Sequence, residues 1–244
     1  MKFQLTNPII LADAVSIMSE LVNDIRIKFK PEGLEVVAID PANVAMLTFK
    51  MPSSLFREYE TSGEEVIGIS LDDLKNVLRR GKNILKAETK ENRLYLEFGG
   101  GAETTNSGEK KSFVLSLLGL EGEEKKIPQW KFPIKLIVGA LKLQEAINDA
   151  SIITDNVSFI SGKEGFMLEA KSSLHSATIQ ITSEKLEEVK AKYSLDYLQR
   201  MVKASRISDD VIINYANDHP LFLQYQNTQN VEINFILAPR VETD

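Results

Sequence analysis

Cysteine is absent from all 244 residues, so the chain has no disulfide framework, no thiolate nucleophile and no cysteine-based metal site. Histidine is almost as scarce: His175 and His219 are the only two, and neither stands at metal-ligand spacing from other ligand residues. No apolar run is long enough to span a bilayer. The opening residues, MKFQLTNPIILADAV, lack the charged, apolar and small-residue order of a signal peptide. An intracellular address is therefore expected, and the glycosylation-like triplet Asn156-Val157-Ser158 carries little weight without an export signal. Positive charge is in deficit. Lys and Arg number 29 against 35 Asp and Glu, a net charge of −6, with a pI near 5.2. A protein gripping nucleic acid over most of its surface would need the opposite balance.

What is present is a duplication. Leu11–Asp40 lies over Leu143–Ser172 without a gap, matching Leu11 with Leu143, Ala14 with Ala146, Val15 with Ile147, Gly33 with Gly165 and Ala38 with Ala170. The match resumes where Ser70–Arg80 lies over Ser194–Ala204 and Ile84–Phe98 lies over Val211–Tyr225. A long internal period is read before anything else, because it decides the fold. A hydrophobic content of 43% can fill real cores, and the length suits two domains of about 120 residues. The expected division is 1–117 and 132–244, joined by a connector over 118–131 whose Gly, Glu, Lys and Pro mark a linking segment.

Each repeat reads as helix, strand, strand, a loop region, helix, then strands. Ile10, Ala14, Ile17, Met18, Leu21 and Val22 recur at helical spacing. Ile25–Phe29 alternates, Pro31-Glu32-Gly33 turns the chain, Leu34–Ile39 returns, and Val44–Met51 alternates again. Asp72-Asp73 is expected to open a short helix through Arg80, with carboxylates first and cations last as the helix dipole prefers, and Gly81 to stop it. Ile84–Glu88 and Arg93–Phe98 form a hairpin turned at Lys90–Asn92, and Phe113–Leu117 is a further strand. Short helices among many alternating strands give an α+β class built on antiparallel sheet, two helices to each domain.

Catalytic chemistry finds little footing. Gly99–Lys111 is Gly-rich, but it lacks phosphate-loop spacing and no helix follows it, so it reads as a surface loop. Asp40 ends an apolar strand before Pro41; that placement suits a turn-former as well as an acid. His219 precedes Pro220 at a turn, and His175 sits where a loop enters a strand. No Gly-x-Ser-x-Gly elbow accompanies them. Trp130 either anchors the connector or faces a partner. The cations are the uneven feature. Lys75, Arg79, Arg80, Lys82 and Lys86 cluster around the first repeat's second helix, with Arg200, Lys203 and Arg206 at the matching place in the second. Such clusters are commonly a solvated face; their recurrence suggests a surface repeated around a symmetric object.

Gly33–Glu60 (GLEVVAIDPANVAMLTFKMPSSLFREYE), Leu120–Pro133 (LEGEEKKIPQWKFP), His219–Tyr225 (HPLFLQY) and Leu237–Glu242 (LAPRVE) together resemble the DNA sliding clamp family of the archaeal and eukaryotic proliferating cell nuclear antigen type. The resemblance implies the DNA clamp fold: three chains in a closed ring, helices lining a central hole and sheets outside. It implies a processivity factor and not an enzyme, with no cofactor and no metal. The ring would encircle duplex DNA without sequence preference, be opened by a clamp loader, and tether DNA polymerase, flap endonuclease and DNA ligase through short motifs. No membrane is involved. The implied location is the archaeal cytoplasm beside the nucleoid, or the nucleus in a eukaryote.

Residue by residue, the resemblance places Lys75, Arg79, Arg80, Lys82, Lys142, Arg200, Lys203 and Arg206 toward DNA. Partner motifs would dock on Ile39, Asn43 and Val44, on Ile127, Trp130 and Phe132 of the connector region, on Pro220, and on Ile236, Ala238 and Pro239. The subunit interface would pair the strand at Ser112–Leu118 with that at Ser176–Thr182 of the next chain, through Phe113, Leu115, Leu117, Thr178 and Gln180, with Glu145 and Asp149 adding ion pairs. Two departures stand out. Asn43 replaces the family's frequent histidine, and the first helices carry Asp13, Glu20, Glu145 and Asp149 with only Lys142 basic. The alternatives are a specialised paralogue serving as one subunit of a heterotrimeric ring, a related ring subunit that does not engage the usual partners, and a hydrolase built on Asp40 and a histidine.

Overall fold

In the computed structural model, which describes residues 1–99, 110–120 and 132–240, the chain forms two compact units. Unit 1 comprises Met1–Ala38, Thr48–Lys125 and Thr228–Val231; unit 2 comprises Ile39–Leu47, Lys126–Asn227 and Glu232–Asp244. Residues 39–47 thus pack with the second unit although they lie deep in the first repeat.

Unit 1 is built from β1 (Lys2–Leu5), α1 (Ile9–Met18), β2 (Asp24–Lys30), β3 (Gly33–Ile39), β4 (Ala45–Pro52), β5 (Glu58–Glu60), β6 (Glu65–Ser70), α2 (Leu71–Leu78), β7 (Leu85–Lys90), β8 (Arg93–Phe98) and β9 (Lys111–Ser116), with short pieces of β3 and β4 counted in unit 2. One antiparallel sheet runs β5-β1-β7-β8-β9, and a second run is β4-β3-β2-β6. Unit 2 contains β10 (Ile134–Gly139), α3 (Ala140–Ser151), β11 (Asn156–Gly162), β12 (Gly165–Lys171), β13 (Ser176–Thr182), β14 (Val189–Ser194), α4 (Leu195–Met201), a 3-10 turn over Val202–Arg206, β15 (Asp210–Tyr215), β16 (Leu221–Gln226) and β17 (Glu232–Leu237). Its strands run β10-β15-β16-β17 and β13-β12-β11-β14. The order β1-β7-β8-β9 corresponds to β10-β15-β16-β17, and β4-β3-β2-β6 corresponds to β13-β12-β11-β14. The sequence duplication is a duplication of topology.

Matched residues do matched work. Leu11, Ala14 and Val15 of α1 are buried, as are Leu143, Ala146 and Ile147 of α3, so the i, i+3, i+4 stripe is the core face in both. Gly33 has φ +144° and Gly165 φ +102° at the hairpin turns. A Cβ on Gly33 would fall onto the Met51 carbonyl oxygen, and one on Gly165 onto the Thr182 carbonyl oxygen. Left-handed backbone and close approach therefore both require glycine. Unit 2 centres on Phe159, which meets Phe166, Tyr193 and Tyr215 edge-on at centroid distances of 5.5, 5.2 and 6.0 Å, a favourable arrangement for ring quadrupoles.

Several element boundaries differ from expectation. β1 and β10 precede the first helix of each repeat, and β5 and β6 occupy what reads as loop. α1 stops at Met18, because Glu20 and Leu21 bond to carbonyls three residues back, Ile17 and Met18, tightening the last turn. Leu21 and Val22 are buried all the same, so the helical spacing outruns the helix. α2 starts at Leu71 with Ser70 as its cap, accepting from the Asp73 amide, and ends at Leu78 before Arg79 and Arg80. β9 ends at Ser116, leaving Leu117 beyond the strand. The β7–β8 hairpin turns through Glu91 (φ 47°) and Asn92 (φ 58°) between paired Lys90 and Arg93, the two-residue geometry that suits strand twist. Residues 100–109 of the Gly-rich stretch and most of the expected connector, with Ile127 and Trp130, lie outside the described residues.

Candidate docking and interface surfaces

The strand β3 leads into a turn that is held from inside by one carboxylate. Asp40 is 5% exposed. Its Oδ1 accepts from the amides of Ala45 (2.6 Å) and Val44 (2.7 Å), its Oδ2 from the Ala42 amide (3.1 Å) and the Tyr197 hydroxyl (2.7 Å). The backbone closes the same loop, with the Asp40 amide on the Ala45 carbonyl (2.9 Å) and the Asn43 amide on the Asp40 carbonyl (3.0 Å). Asn43 takes φ 57°, a conformation its short polar side chain tolerates. Burial pushes the Asp40 carboxyl up, but the bonds from Ala45, Tyr197, Val44 and Ala42 outweigh it and hold it below the ordinary range. Asp40 is a turn-former with its acceptors occupied.

That turn meets the end of the β16–β17 ladder. The Ala238 amide donates to the Val44 carbonyl at 2.9 Å. Leu221 pairs with Leu237, so Pro220 and Ala238 adjoin at one end of the ladder. Asn43 is exposed; Ile39, Val44, Pro220, Ala238, Pro239 and Phe132 are half-buried. Ile236 is 7% exposed and belongs to the core, one residue short of the rim. The structure thus brings Val44, Pro220, Ala238 and Pro239 to one apolar rim in unit 2, and Tyr197 is a member of its support that sequence reading missed. Only the long-range fold places it there.

The cations behave unequally. Arg79, Arg80 and Lys82 are exposed at the end of α2, where cations suit the helix dipole. Lys75 Nζ donates to Ser19 Oγ (2.9 Å) and Asp72 Oδ1 (3.4 Å). Arg200 forks onto Asp196 at 2.9 and 3.1 Å and lies over the Tyr197 ring, 5.8 Å from its centroid. Lys203 and Arg206 follow on the 3-10 turn, Arg206 exposed. Lys142 Nζ donates to the Ile181 carbonyl at 2.6 Å.

β9 and β13 are each the last strand of their sheet. On β9, Ser112, Val114 and Ser116 are exposed, while Phe113 and Leu115 are half-buried; on β13, Ser176, Thr178 and Gln180 are exposed. The Gln180 side chain turns back to the Glu164 and Thr182 carbonyls (2.8 and 2.6 Å). Glu145 and Asp149 are exposed one turn apart on α3, and the Leu117 amide donates to the Asn92 carbonyl. Open sheet edges are association surfaces unless something covers them.

His175 and His219 are exposed. The His219 ring bonds the Asn217 carbonyl (2.7 Å), and the His219 carbonyl accepts from the Tyr193 hydroxyl (2.9 Å). Among the described residues no group of three His, Cys, Asp or Glu is placed to hold a metal ion.

Duplicated topology in each unit, with terminal strands β9 and β13, defines a two-repeat α+β protein. Comparison with known proteins gives the family. The model for the proliferating cell nuclear antigen N-terminal domain matches residues 1–124, and that for its C-terminal domain matches residues 126–240. The chain belongs to the proliferating cell nuclear antigen family. Relatives named DNA polymerase sliding clamp include that of Thermococcus onnurineus, 33% identical over 95% of this chain and 94% of its own, and that of Pyrococcus horikoshii, 31% identical over the same shares. Among solved structures, A. fulgidus PCNA bound to the C-terminal region of FEN-1 superposes with a TM-score of 0.87 at 27% identity, covering 100% of this chain and 99% of that one. The PCNA2–PCNA3 complex of Sulfolobus tokodaii gives 0.86 at 25% identity, covering 99% and 100%.

Proposed function

We propose that this chain is an archaeal DNA polymerase sliding clamp, a non-catalytic processivity factor whose two repeats, 1–117 and 132–244 with the linker 118–131, build one third of a closed ring. Two open edges carry this reading. β9 of one subunit pairs with β13 of the next, so Phe113, Leu115, Thr178 and Gln180 meet and these two edges cover each other. Glu145 and Asp149 of α3 face the cations after α2 across the same junction. Arg79, Arg80 and Lys82, with Arg200, Lys203 and Arg206, turn toward the bore.

The mechanism substitutes topology for affinity. A protein of net charge −6 repels DNA over most of its surface. A loosely positive bore contacts phosphates without sequence preference and without a grip that would oppose sliding. The enclosed duplex leaves only when the ring opens, which requires a clamp loader. Polymerase, flap endonuclease and ligase dock short motifs on the rim formed by Val44, Pro220, Ala238 and Pro239. There apolar burial supplies affinity, and backbone amides and carbonyls supply direction. The place of action is the chromosome in the archaeal cytoplasm.

The test has two stages. Light scattering should give about three times the 27.3 kDa chain mass; a lone subunit, with or without sister clamp chains, ends the ring reading. Polymerase stimulation should appear on primed circular DNA and vanish on linear DNA with free ends. A trimer that forms only with a second clamp chain, as the two-chain composition of the Sulfolobus tokodaii complex suggests, selects the heterotrimer instead.

A further inference from the structure

We propose that the docking rim continues past Pro239 into a cation-lined cleft that takes acidic residues flanking a partner's docking motif. The inference rests on the docking reading and deepens it by naming the chemistry of the partner's flank.

The cleft lies in unit 2 over the strands β11, β12 and β14 and has a volume of about 530 Å³. Lys171, Lys190, Lys192 and Arg240 line it against two carboxylates, Glu169 and Asp218. It is joined to the rim by the chain itself. Arg240 follows Ala238 and Pro239, and Asp218 lies two positions before Pro220. The Arg240 amide is fixed to the Lys192 carbonyl at 2.7 Å. The flank of a peptide docked on the rim therefore lies beside the cleft along the same stretch of chain.

The internal arrangement favours an added carboxylate. Glu169 is shared between Lys171 (2.6 Å) and Lys190 (3.8 Å). The hydrogen bond from Lys171, foremost among its interactions, holds the Glu169 carboxyl below its ordinary range against the opposing effect of burial. One carboxylate therefore positions two ammonium groups without neutralising them, and each ammonium has three donors to satisfy. Asn156 Oδ1 is buried at the cleft with no hydrogen-bond partner; turned over, the same amide presents two donors to an anion. Among the described residues no aromatic ring lines the cleft, so they offer no platform for stacking a nucleobase. Four cations together are a local exception on a chain of net charge −6. An acidic flank is thus attracted here and repelled over most other surfaces, which favours one register of docking.

The test uses the intact chain and three synthetic peptides from the C-terminal region of an archaeal FEN-1: the plain peptide, one with a run of aspartates appended at either end, and one with asparagines in the same places. Calorimetry at low salt should show the aspartate peptide binding about five-fold tighter than the asparagine peptide. The gain should shrink as salt rises and disappear in Lys171→Gln combined with Lys190→Gln. Equal affinity of the two tailed peptides, with the plain peptide bound, overturns the cleft and leaves the docking rim standing. A gain that survives both substitutions also overturns it. Displacement of the acidic tail by a short oligothymidylate assigns the cleft to phosphate and overturns the acidic partner. Failure of the plain peptide to bind removes the docking reading and this inference with it.

Discussion

The Tyr197 hydroxyl donates to Asp40 Oδ2 at 2.7 Å, tying α4 to a turn 157 positions earlier in the chain. Asp40 holds the amides of Ala42, Val44 and Ala45, and the Val44 carbonyl receives the Ala238 amide. The proposed docking rim is thus preorganised by a hydroxyl that lies outside it. Tyr197→Phe keeps the ring under Arg200 and removes only this donor. It should cost about 1 kcal/mol of stability, because one of four bonds to a charged acceptor is lost at a half-buried site. It should also weaken binding of a FEN-1 C-terminal peptide about three-fold through a looser turn. Melting curves and calorimetry on the same sample separate the two effects; a peptide affinity equal to that of the parent chain removes Tyr197 from the support of the rim.

Acid should act on the same turn. The folded carboxyl of Asp40 lies below its ordinary value, so the unfolded chain binds a proton more readily. The stability it contributes is full above the unfolded value of about 4 and is lost as pH falls through the folded one. Asp40→Asn cannot follow that course. The stability gap between parent and variant should be widest at neutral pH and narrow steadily below about pH 4. Urea titrations across that range measure it, and a gap independent of pH would show that the Asp40 charge does not support the turn.

How far the fold was legible follows from the range of each interaction. The duplication, the helical stripes and the hairpin at Glu91-Asn92 are written in local spacing, and the helix faces with Leu11 and Leu143 are buried as read. β1 and β10 carry no isolated signal: KFQL and IKLIVG become strands by pairing with β7 and β15. The end of α1 was hidden because Leu21 and Val22 continue the apolar period through a tightened turn in which the Glu20 and Leu21 amides bond three residues back. Residues 39–47 join unit 2 through Tyr197 and Ala238, contacts that no local pattern records. Family resemblance alone proposes Asn43, Val44, Pro220 and Ala238 for the docking rim, whereas the burial of Ile236 and the Tyr197–Asp40 bond needed the three-dimensional pairing.

Gly33 and Gly165 offer a test of the duplication itself. Both take positive φ, and in both a Cβ would strike the carbonyl of a neighbouring strand, Met51 or Thr182. Alanine at either place meets backbone that cannot step aside as a side chain could, and strained φ adds a further 1–3 kcal/mol or so. Gly33→Ala and Gly165→Ala should each destabilise by more than about 2 kcal/mol. Gly63 has φ +110°, but nothing lies within 4 Å of where its Cβ would stand, so Gly63→Ala should cost only the strain. Denaturant midpoints for the three variants give the comparison, and equal losses at all three would discard the steric account.

Arg79 and Lys203 occupy equivalent places in the two repeats, after α2 and after α4. Arg79 is exposed and Lys203 half-buried, and surface substitutions of this kind usually stay within about 0.5 kcal/mol of the parent in stability. Arg79→Glu with Lys203→Glu moves the net charge from −6 to about −10 per chain, all of it at the proposed bore. The ring should still assemble, with its mass and melting temperature little altered. Polymerase stimulation on primed circular DNA should fall by about ten-fold or more, because phosphates now meet repulsion where they met cations. Raising salt should relieve part of the defect, since screening weakens repulsion as it weakens attraction. The matched control is Lys50→Glu with Lys90→Glu, the same charge change at exposed strand positions away from α2 and α4, which should leave stimulation intact. If both double variants lose stimulation equally, net charge alone is responsible and the assignment of Arg79 and Lys203 to the DNA-facing wall fails.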